Sequence, residues 1–295
     1  MKIFVTGASG QLGYDVVRVA NESGHHAIGC GKRTEFPLED YIALDISDAK
    51  SVEHTLESIH PDVVIHCASW TDVDSAEDVE NRKLVQDINV IGTKNIVEAC
   101  KKLNCKLIYI STDYVFSGKG SEPWSADSDD KGPLNWYGKT KLEGEKIVSE
   151  LLKKYFVVRI SWAFGVNGKN FIKTMLNVGK KYDTVRVVCD QIGTPTYTYD
   201  LAHLLVDMAE SEKYGYYHAT NEGGYISWYD FTCEIFKQAG YDTKVVPVTT
   251  AEYGLSKAAR PFNSRLDKSK LVENGFTPLP TWQDALARYL QEIKY

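Results

Sequence analysis

The sequence predicts an α/β protein: a doubly wound parallel sheet with a smaller mixed α/β substrate-binding lobe. Three observations carry that prediction. Short apolar runs alternate with helical patterns through the first half of the chain, the first run ends in a glycine-rich turn, and the pattern loosens into short, aromatic-rich elements beyond residue 161. With 295 residues, 43% hydrophobic and 25% charged, the chain has the composition of an ordinary globular protein of one large domain or two smaller ones. Residues 1–160, with a return segment at about 190–212, are expected to form a dinucleotide-binding domain, and residues 161–189 and 213–295 the lobe that holds substrate.

Residues 2–6 form a short apolar strand that runs into Gly7-Ala8-Ser9-Gly10-Gln11-Leu12-Gly13 and then a helical pattern through Val16, Val17, Val19 and Ala20. A dinucleotide pyrophosphate needs that order: the glycines let the backbone come close, and the helix N-terminus offers free N–H groups at the positive end of its dipole. Gly7, Gly10, Gln11, Leu12 and Gly13 are therefore cofactor candidates, on a Gly-x-x-Gly-x-x-Gly spacing. The next strand, 27–30, ends in Gly31-Lys32-Arg33, with no acid where NAD usually has its ribose 2′-hydroxyl held. Lys32 or Arg33 would suit a 2′-phosphate, which favours NADPH at least equally with NADH; two solvated loop cations are the other reading.

A third strand, 42–46, closes on Asp45, a candidate acceptor for the adenine amino group, with Ile46 beside it; Asp48 suits a helix N-cap. The fourth, 62–69, is a buried run ending in Cys67, Ala68 and Ser69, small residues against which a cofactor can lie, while His66 is expected to be packed. A long helix over 81–103 leads to a fifth strand, 106–111, and a sixth covers 155–161. This is the order of a Rossmann-type sheet.

The fifth strand runs into Ser111-Thr112-Asp113-Tyr114, at the strand end where open α/β sheets bind ligands. A loop rich in Gly, Ser, Asp and Pro, 119–133, precedes an amphipathic helix opened by Asn135-Trp136-Tyr137-Gly138-Lys139-Thr140-Lys141. Tyr137 and Lys141 are four apart and share a helical face. An ammonium beside the phenol is expected to lower the tyrosine pKa from its usual ~10 and make Tyr137 a usable proton donor.

The net charge of −6, without long single-sign blocks, argues against a nucleic-acid partner. No apolar stretch is long enough for a membrane span, and no secretory signal pattern is present, so a cytoplasmic protein is expected. The six cysteines include no Cys-x-x-Cys pair and the seven histidines no His-Glu-x-x-His spacing; reduced, packed cysteines and no metal are expected.

Taken together, the glycine turn, Ser111-Thr112-Asp113-Tyr114-Val115-Phe116 and Tyr137-Gly138-Lys139-Thr140-Lys141-Leu142-Glu143-Gly144-Glu145 resemble the extended short-chain dehydrogenase/reductases that act on nucleotide-sugars. Arg159-Ile160-Ser161-Trp162, Asn170-Phe171-Ile172-Lys173-Thr174-Met175, Asp190-Gln191-Ile192-Gly193-Thr194-Pro195-Thr196, Ser227-Trp228-Tyr229-Asp230-Phe231, Arg260-Pro261 and Asn263-Ser264-Arg265-Leu266 narrow the likeness to the dTDP-4-dehydrorhamnose reductase family.

The resemblance implies Thr112, Tyr137 and Lys141 as the catalytic set and NADPH or NADH as cofactor, with Tyr137 and Lys141 also meeting the cofactor. It implies a nucleotide-sugar substrate met by Val73, Thr112, Asp113, Tyr114, Tyr137 and Trp162, with Arg260 facing the diphosphate; Trp228 is expected to be packing. The implied reaction is reduction of a C4 ketone. Tyr114, where related dehydratases carry glutamate, favours simple reduction. Three departures stand out: His66-Cys67-Ala68-Ser69 in place of Asn-Ala-Ala-Ala, no acid after the second strand, and Asp15 where some members place a glutamate serving a metal-bridged dimer. Monomer and homodimer both stay open, as do a reductase or epimerase for another nucleotide-sugar and a non-catalytic regulatory subunit of the same fold.

Overall fold

A computed structural model describes residues 1–294. In chain order its first half contains β1 (Lys2–Thr6), α1 (Gln11–Glu22), β2 (His26–Gly31), β3 (Tyr41–Ala43), α2 (Ala49–Ile59), β4 (Val63–His66), α3 (Val79–Gln86), α4 (Thr93–Leu103), β5 (Lys106–Thr112), α5 (Trp136–Leu151) and β6 (Tyr155–Ile160). The second half contains β7 (Ala163–Phe164), α6 (Phe171–Gly179), β8 (Thr184–Val188), β9 (Ile192–Gly193), β10 (Thr196–Tyr197), α7 (Thr198–Glu210), β11 (Gly215–His218), β12 (Ile226–Ser227), α8 (Trp228–Ala239), β13 (Lys244–Val248), α9 (Thr250–Tyr253), α10 (Ser269–Glu273) and α11 (Trp282–Ile293).

Seven strands form one parallel sheet in the order β11-β6-β5-β4-β1-β2-β3. Successive side chains of a strand face opposite sides. Ile3 and Val5 accordingly enter a core shared with α1 and α7, through Val16, Val19, Leu201 and Leu205, whereas Phe4 enters the one beneath α2, α4 and α5, with Leu56, Ile96 and Val148. In β1, Thr6 lies level with Cys30 of β2 and His66 of β4, so three strands end together. The chain leaves β1 for one neighbour and returns on its other side. That reversal opens the crevice where such sheets bind ligands.

Local chemistry sets several element ends. The Asp48 side chain caps α2, accepting from the backbone of Lys50 and Ser51 at 3.1 and 3.2 Å, an arrangement worth about 1 kcal/mol. The Ser227 and Asp230 side chains form a reciprocal capping box at the start of α8.

The structure departs from the sequence reading in four places, the first being the expected strand 62–69, of which only Val63–His66 is strand. The expected strand 42–46 is only Tyr41–Ala43: the last ladder bond to β2 runs from Leu44 N–H to the Gly31 carbonyl, and the Asp45 carboxylate then turns the chain by accepting from Ser47 N–H. The helix expected over 81–103 starts at Val79 and contains a wide π turn, Asp87–Gly92. The segment Gly215–His218, expected in the smaller lobe, is the edge strand of the main sheet, paired with β6.

Beyond the sheet, the strand pairs β7–β10, β9–β12 and β8–β13 support a separate aromatic core of Phe164, Tyr197, Phe231, Trp282, Leu286 and Tyr289. The loop expected at 119–133 is irregular and pinned to residues 263–267: Trp124 N–H bonds Arg265 at 2.9 Å, and its indole N–H bonds Asn263 at 3.1 Å. The six cysteines are free; Cys30, Cys100 and Cys105 are buried. No helix among the described residues is long and apolar enough to cross a membrane.

Candidate active site

A cleft of about 630 Å³ lies over the carboxyl ends of the strands. Its floor is the glycine turn. Gly7 has a left-handed backbone (φ 67°), and a Cβ there would stand 2.7 Å from the amide nitrogen of Ala68; at Gly13 a Cβ would stand 2.3 Å from the Gly7 carbonyl oxygen. Only glycine fits either place. α1 then begins with no side-chain cap and no acid in its first turn, leaving its N–H groups and positive dipole end available for a pyrophosphate. Gly10, Gln11, Leu12, Cys67, Ala68 and Ser69 line the same cleft, so this end fits a dinucleotide.

At the other end stands the catalytic set predicted from sequence. The Asn135 side chain caps α5 by accepting from Gly138 N–H at 2.8 Å, and α5 presents Tyr137 and Lys141 to the cleft. Gly138 allows the close seating: a Cβ there would be 2.4 Å from the Tyr114 carbonyl oxygen. Lys141 Nζ donates to the Ile110 carbonyl at 2.7 Å and lies 4.1 Å over the Tyr109 ring. At the end of β5, Thr112 Oγ1 donates to Asp113 Oδ1 at 2.9 Å and accepts from Tyr114 N–H at 3.2 Å. The Tyr114 and Tyr137 rings meet edge to face at 5.6 Å.

The whole chain, residues 1–295, matches the family described as the RmlD substrate binding domain. It is 38% identical to a dTDP-4-dehydrorhamnose reductase of Aggregatibacter actinomycetemcomitans over 97% of each chain. A similar identity, 38%, relates it to the spore coat polysaccharide biosynthesis protein SpsK of Bacillus subtilis, over 99% of this chain and 97% of that one. Among solved structures, the dTDP-4-dehydrorhamnose reductase of Bacillus anthracis in complex with NADP superposes with a TM-score of 0.91 at 39% identity, covering 99% of each chain. The chain belongs to the dTDP-4-dehydrorhamnose reductase family.

Within this family site the electrostatics differ from the sequence expectation. Burial pushes the Tyr137 phenol above its usual range, the charge of Asp113 pushes it further, and the Thr112 hydroxyl pulls it back. Lys141 is not among these influences. Its own pKa is pulled down to about 7 by burial, with Glu145 and Cys67 opposing. The reason is solvent: the α5 face is dry, so each group resists its charged form more than it helps its neighbour. Asp113 is likewise buried, with its carboxyl pushed up to about 6 by desolvation against the pull of the Ser264 and Thr112 hydroxyls; Thr112 bonds Oδ1, and no hydrogen bond reaches Oδ2.

Two expected contacts lie outside the cleft lining. Arg33 stacks over Phe36, 5.6 Å from the ring centroid, and Arg260 forms a two-point pair with Asp74 at 3.0 and 2.7 Å. Lys32, Asp45 and Ile46 do line the cleft, but Lys32 and Asp45 pair with each other at 2.8 Å. The carboxylate expected at the adenine amino group therefore already has a cation. His66 is packed between the hydroxyls of Thr6 and Thr93 at 2.7 and 3.1 Å, and burial brings its pKa down to about 3.

Val73, Thr112, Asp113, Tyr114 and Trp162 line the cleft as expected; Trp228, expected to be packing, does so too, stacked on Trp162 with ring centroids 3.7 Å apart. Sequence reasoning also missed Ser9, Thr71, Ser161, Lys169 and Asn170. The Asn170 side chain caps α6 by accepting from Lys173 N–H, and its Nδ2 donates to Gln11 Oε1 at 3.1 Å. Asp15 is buried beneath the turn. Its Oδ2 accepts from Thr198 at 2.5 Å, Arg18 is 3.8 Å away, and desolvation raises its pKa to about 6.

Proposed function

We propose that this chain reduces the C4 ketone of dTDP-4-dehydro-6-deoxy-L-mannose to give dTDP-L-rhamnose, using NADPH or NADH. The observation that carries the reading is convergence: Thr112, Tyr137 and Lys141 line one cleft with an uncapped helix N-terminus and the glycine turn. The B. anthracis relative's complex with NADP supports the choice of cofactor. Gly7, Gly10, Gln11 and Gly13 would hold the pyrophosphate and Ala68 and Ser69 would flank the rings, with Lys32 the cation nearest a 2′-phosphate. A nicotinamide held there would supply the hydride for the ketone carbon.

The protein's own residues do the rest. Tyr137, kept protonated by its dry surroundings, gives its proton to the developing alkoxide. Thr112 donates to the carbonyl oxygen and stabilises the charge that gathers there. Lys141, anchored on the Ile110 carbonyl, holds ribose hydroxyls. Asp113 Oδ2, buried and without a protein partner, accepts from a sugar hydroxyl.

The test is NADPH and NADH oxidation followed by absorbance, with the ketosugar generated in situ from dTDP-glucose. Turnover with formation of dTDP-L-rhamnose is expected, with NADPH used at least as well as NADH. Bound cofactor without turnover would refute this substrate and favour another nucleotide-sugar or a regulatory role.

A further inference from the structure

Trp162 is one of the few residues other than glycine in a left-handed backbone conformation (φ 49°), which an L residue with a bulky side chain avoids unless its surroundings impose it. The surroundings are specific. Its indole stacks nearly parallel on Trp228, at 3.7 Å and 17°. Its benzo ring lies against the bare α-carbon of Gly193, where a Cβ would meet Cε2 at 3.0 Å and Cζ2 at 3.1 Å. Those two neighbours belong to one ribbon: Gly193 pairs with Ile226 and Ile192 with Ser227 in β9–β12, and Trp228 follows Ser227 directly. The Ser227 capping box fixes where α8 starts, and Phe171 backs Trp228 at 4.5 Å.

We infer that Trp228 is a positioning residue for the sugar: with Gly193 it clamps the Trp162 indole in its strained pose, as a rigid apolar wall of the substrate end of the cleft. This rests on the substrate reading above. The clamp sits on the substrate side, whereas the glycine turn holds the cofactor, so loss of the clamp weakens nucleotide-sugar binding and leaves cofactor binding alone. Flat aromatic walls suit the apolar face of a deoxysugar and lose little entropy on binding, provided they are already fixed.

The test compares the full-length wild type with Trp228→Ala, Trp228→Phe and Trp162→Phe. Stacked indoles couple their transitions, so the wild type should show a paired positive and negative far-ultraviolet circular dichroism signal that all three variants lack. Calorimetric titration with dTDP-L-rhamnose in the presence of NADP⁺ should give about tenfold weaker binding for Trp228→Ala, equivalent to about 1.4 kcal/mol. Trp228→Phe, which keeps a stacking ring, should recover most of that loss. The affinity for NADP⁺ should be unchanged, and in turnover the sugar KM should rise more than kcat falls. If Trp228→Ala does not fold, Trp228→Leu keeps part of the apolar volume without the flat ring and carries the same expectation.

Absence of the paired signal in the wild type, or unchanged sugar affinity in a folded Trp228 variant, overturns the clamp. Wild-type binding of dTDP-L-rhamnose without turnover sinks the proposed reaction alone, and the affinity ratio still judges the clamp. No wild-type binding of the nucleotide-sugar sinks both.

Discussion

The spacing of Tyr137 and Lys141 reports that they are neighbours on a helix; it does not report how much water they see. That second fact sets their chemistry, because it leaves Lys141 near a pKa of about 7 and Tyr137 firmly protonated. Tyr137→Phe should therefore cost about 10²–10³ in turnover, the usual loss on removing one transition-state donor, with NADPH binding retained in a fluorescence titration. Near-normal turnover would remove Tyr137 from the mechanism. Asp113 gives a stability test whose sign can be worked out. Its folded pKa of about 6 lies above the unfolded value of 3.8, so its contribution is fully present below about pH 4 and is lost as pH rises through 6. Above that, the buried charge is a penalty on the order of 2–3 kcal/mol, which Asp113→Asn removes. Urea denaturation should find the variant more stable than wild type at pH 8 and no different near pH 4, while its sugar turnover falls. Equal stability at pH 8 would mean that the carboxylate is not desolvated.

At the level of elements, the strands and helices that alternate in the first half were legible because each carries its own period. What was not legible depends on partners distant in sequence. β11 pairs with β6 across 59 residues in its register, Gly215 against Phe156, and nothing local marks it as a sheet edge. The π turn at Asp87–Gly92 likewise has no local signature; it brings Asn89 to Ser69 Oγ at 3.0 Å, Trp70 N–H at 2.8 Å and Thr140 Oγ1 at 2.9 Å. An aromatic-rich second half announces packing but not which rings face a cleft, and so Trp228 was misplaced. Gly138 shows the same limit inside a correctly read helix. In an exposed helix interior, Gly→Ala gains about 1 kcal/mol. Here the new Cβ would meet the Tyr114 carbonyl oxygen at 2.4 Å, so α5 must move off the β5 loop that carries Thr112. Gly138→Ala should lower the melting temperature and reduce kcat while leaving the helical circular dichroism signal unchanged. A variant as stable and active as wild type would show that α5 is not seated so tightly.

Across the whole molecule, the glycine turn and the aromatic core beyond the sheet are tied through α11. Arg288 grips the buried carboxylate of Asp200 on α7 through two bonds of 2.8 Å, while Tyr289 accepts from Asn170, whose amide also reaches Gln11 in the turn. This strap was not legible in the sequence, since its partners lie 88 and 119 residues away. Arg288→Met keeps the aliphatic stem and leaves Asp200 with Asn221 as its remaining side-chain donor, at 2.7 Å. Arg288 is about one-third exposed, so the full cost of breaking a buried pair does not apply, and about 2 kcal/mol is the expected loss. NADPH at a hundred times its Kd adds about 2.7 kcal/mol to any protein that binds it only when folded. Scanning calorimetry should thus find Arg288→Met melting several degrees below wild type without cofactor, and close to cofactor-free wild type when saturated with NADPH. If NADPH fails to raise the variant's melting temperature although it raises that of the wild type, the strap is needed to hold the glycine turn in its binding geometry. If the cofactor-free variant melts with the wild type, the Arg288–Asp200 pair contributes nothing to stability.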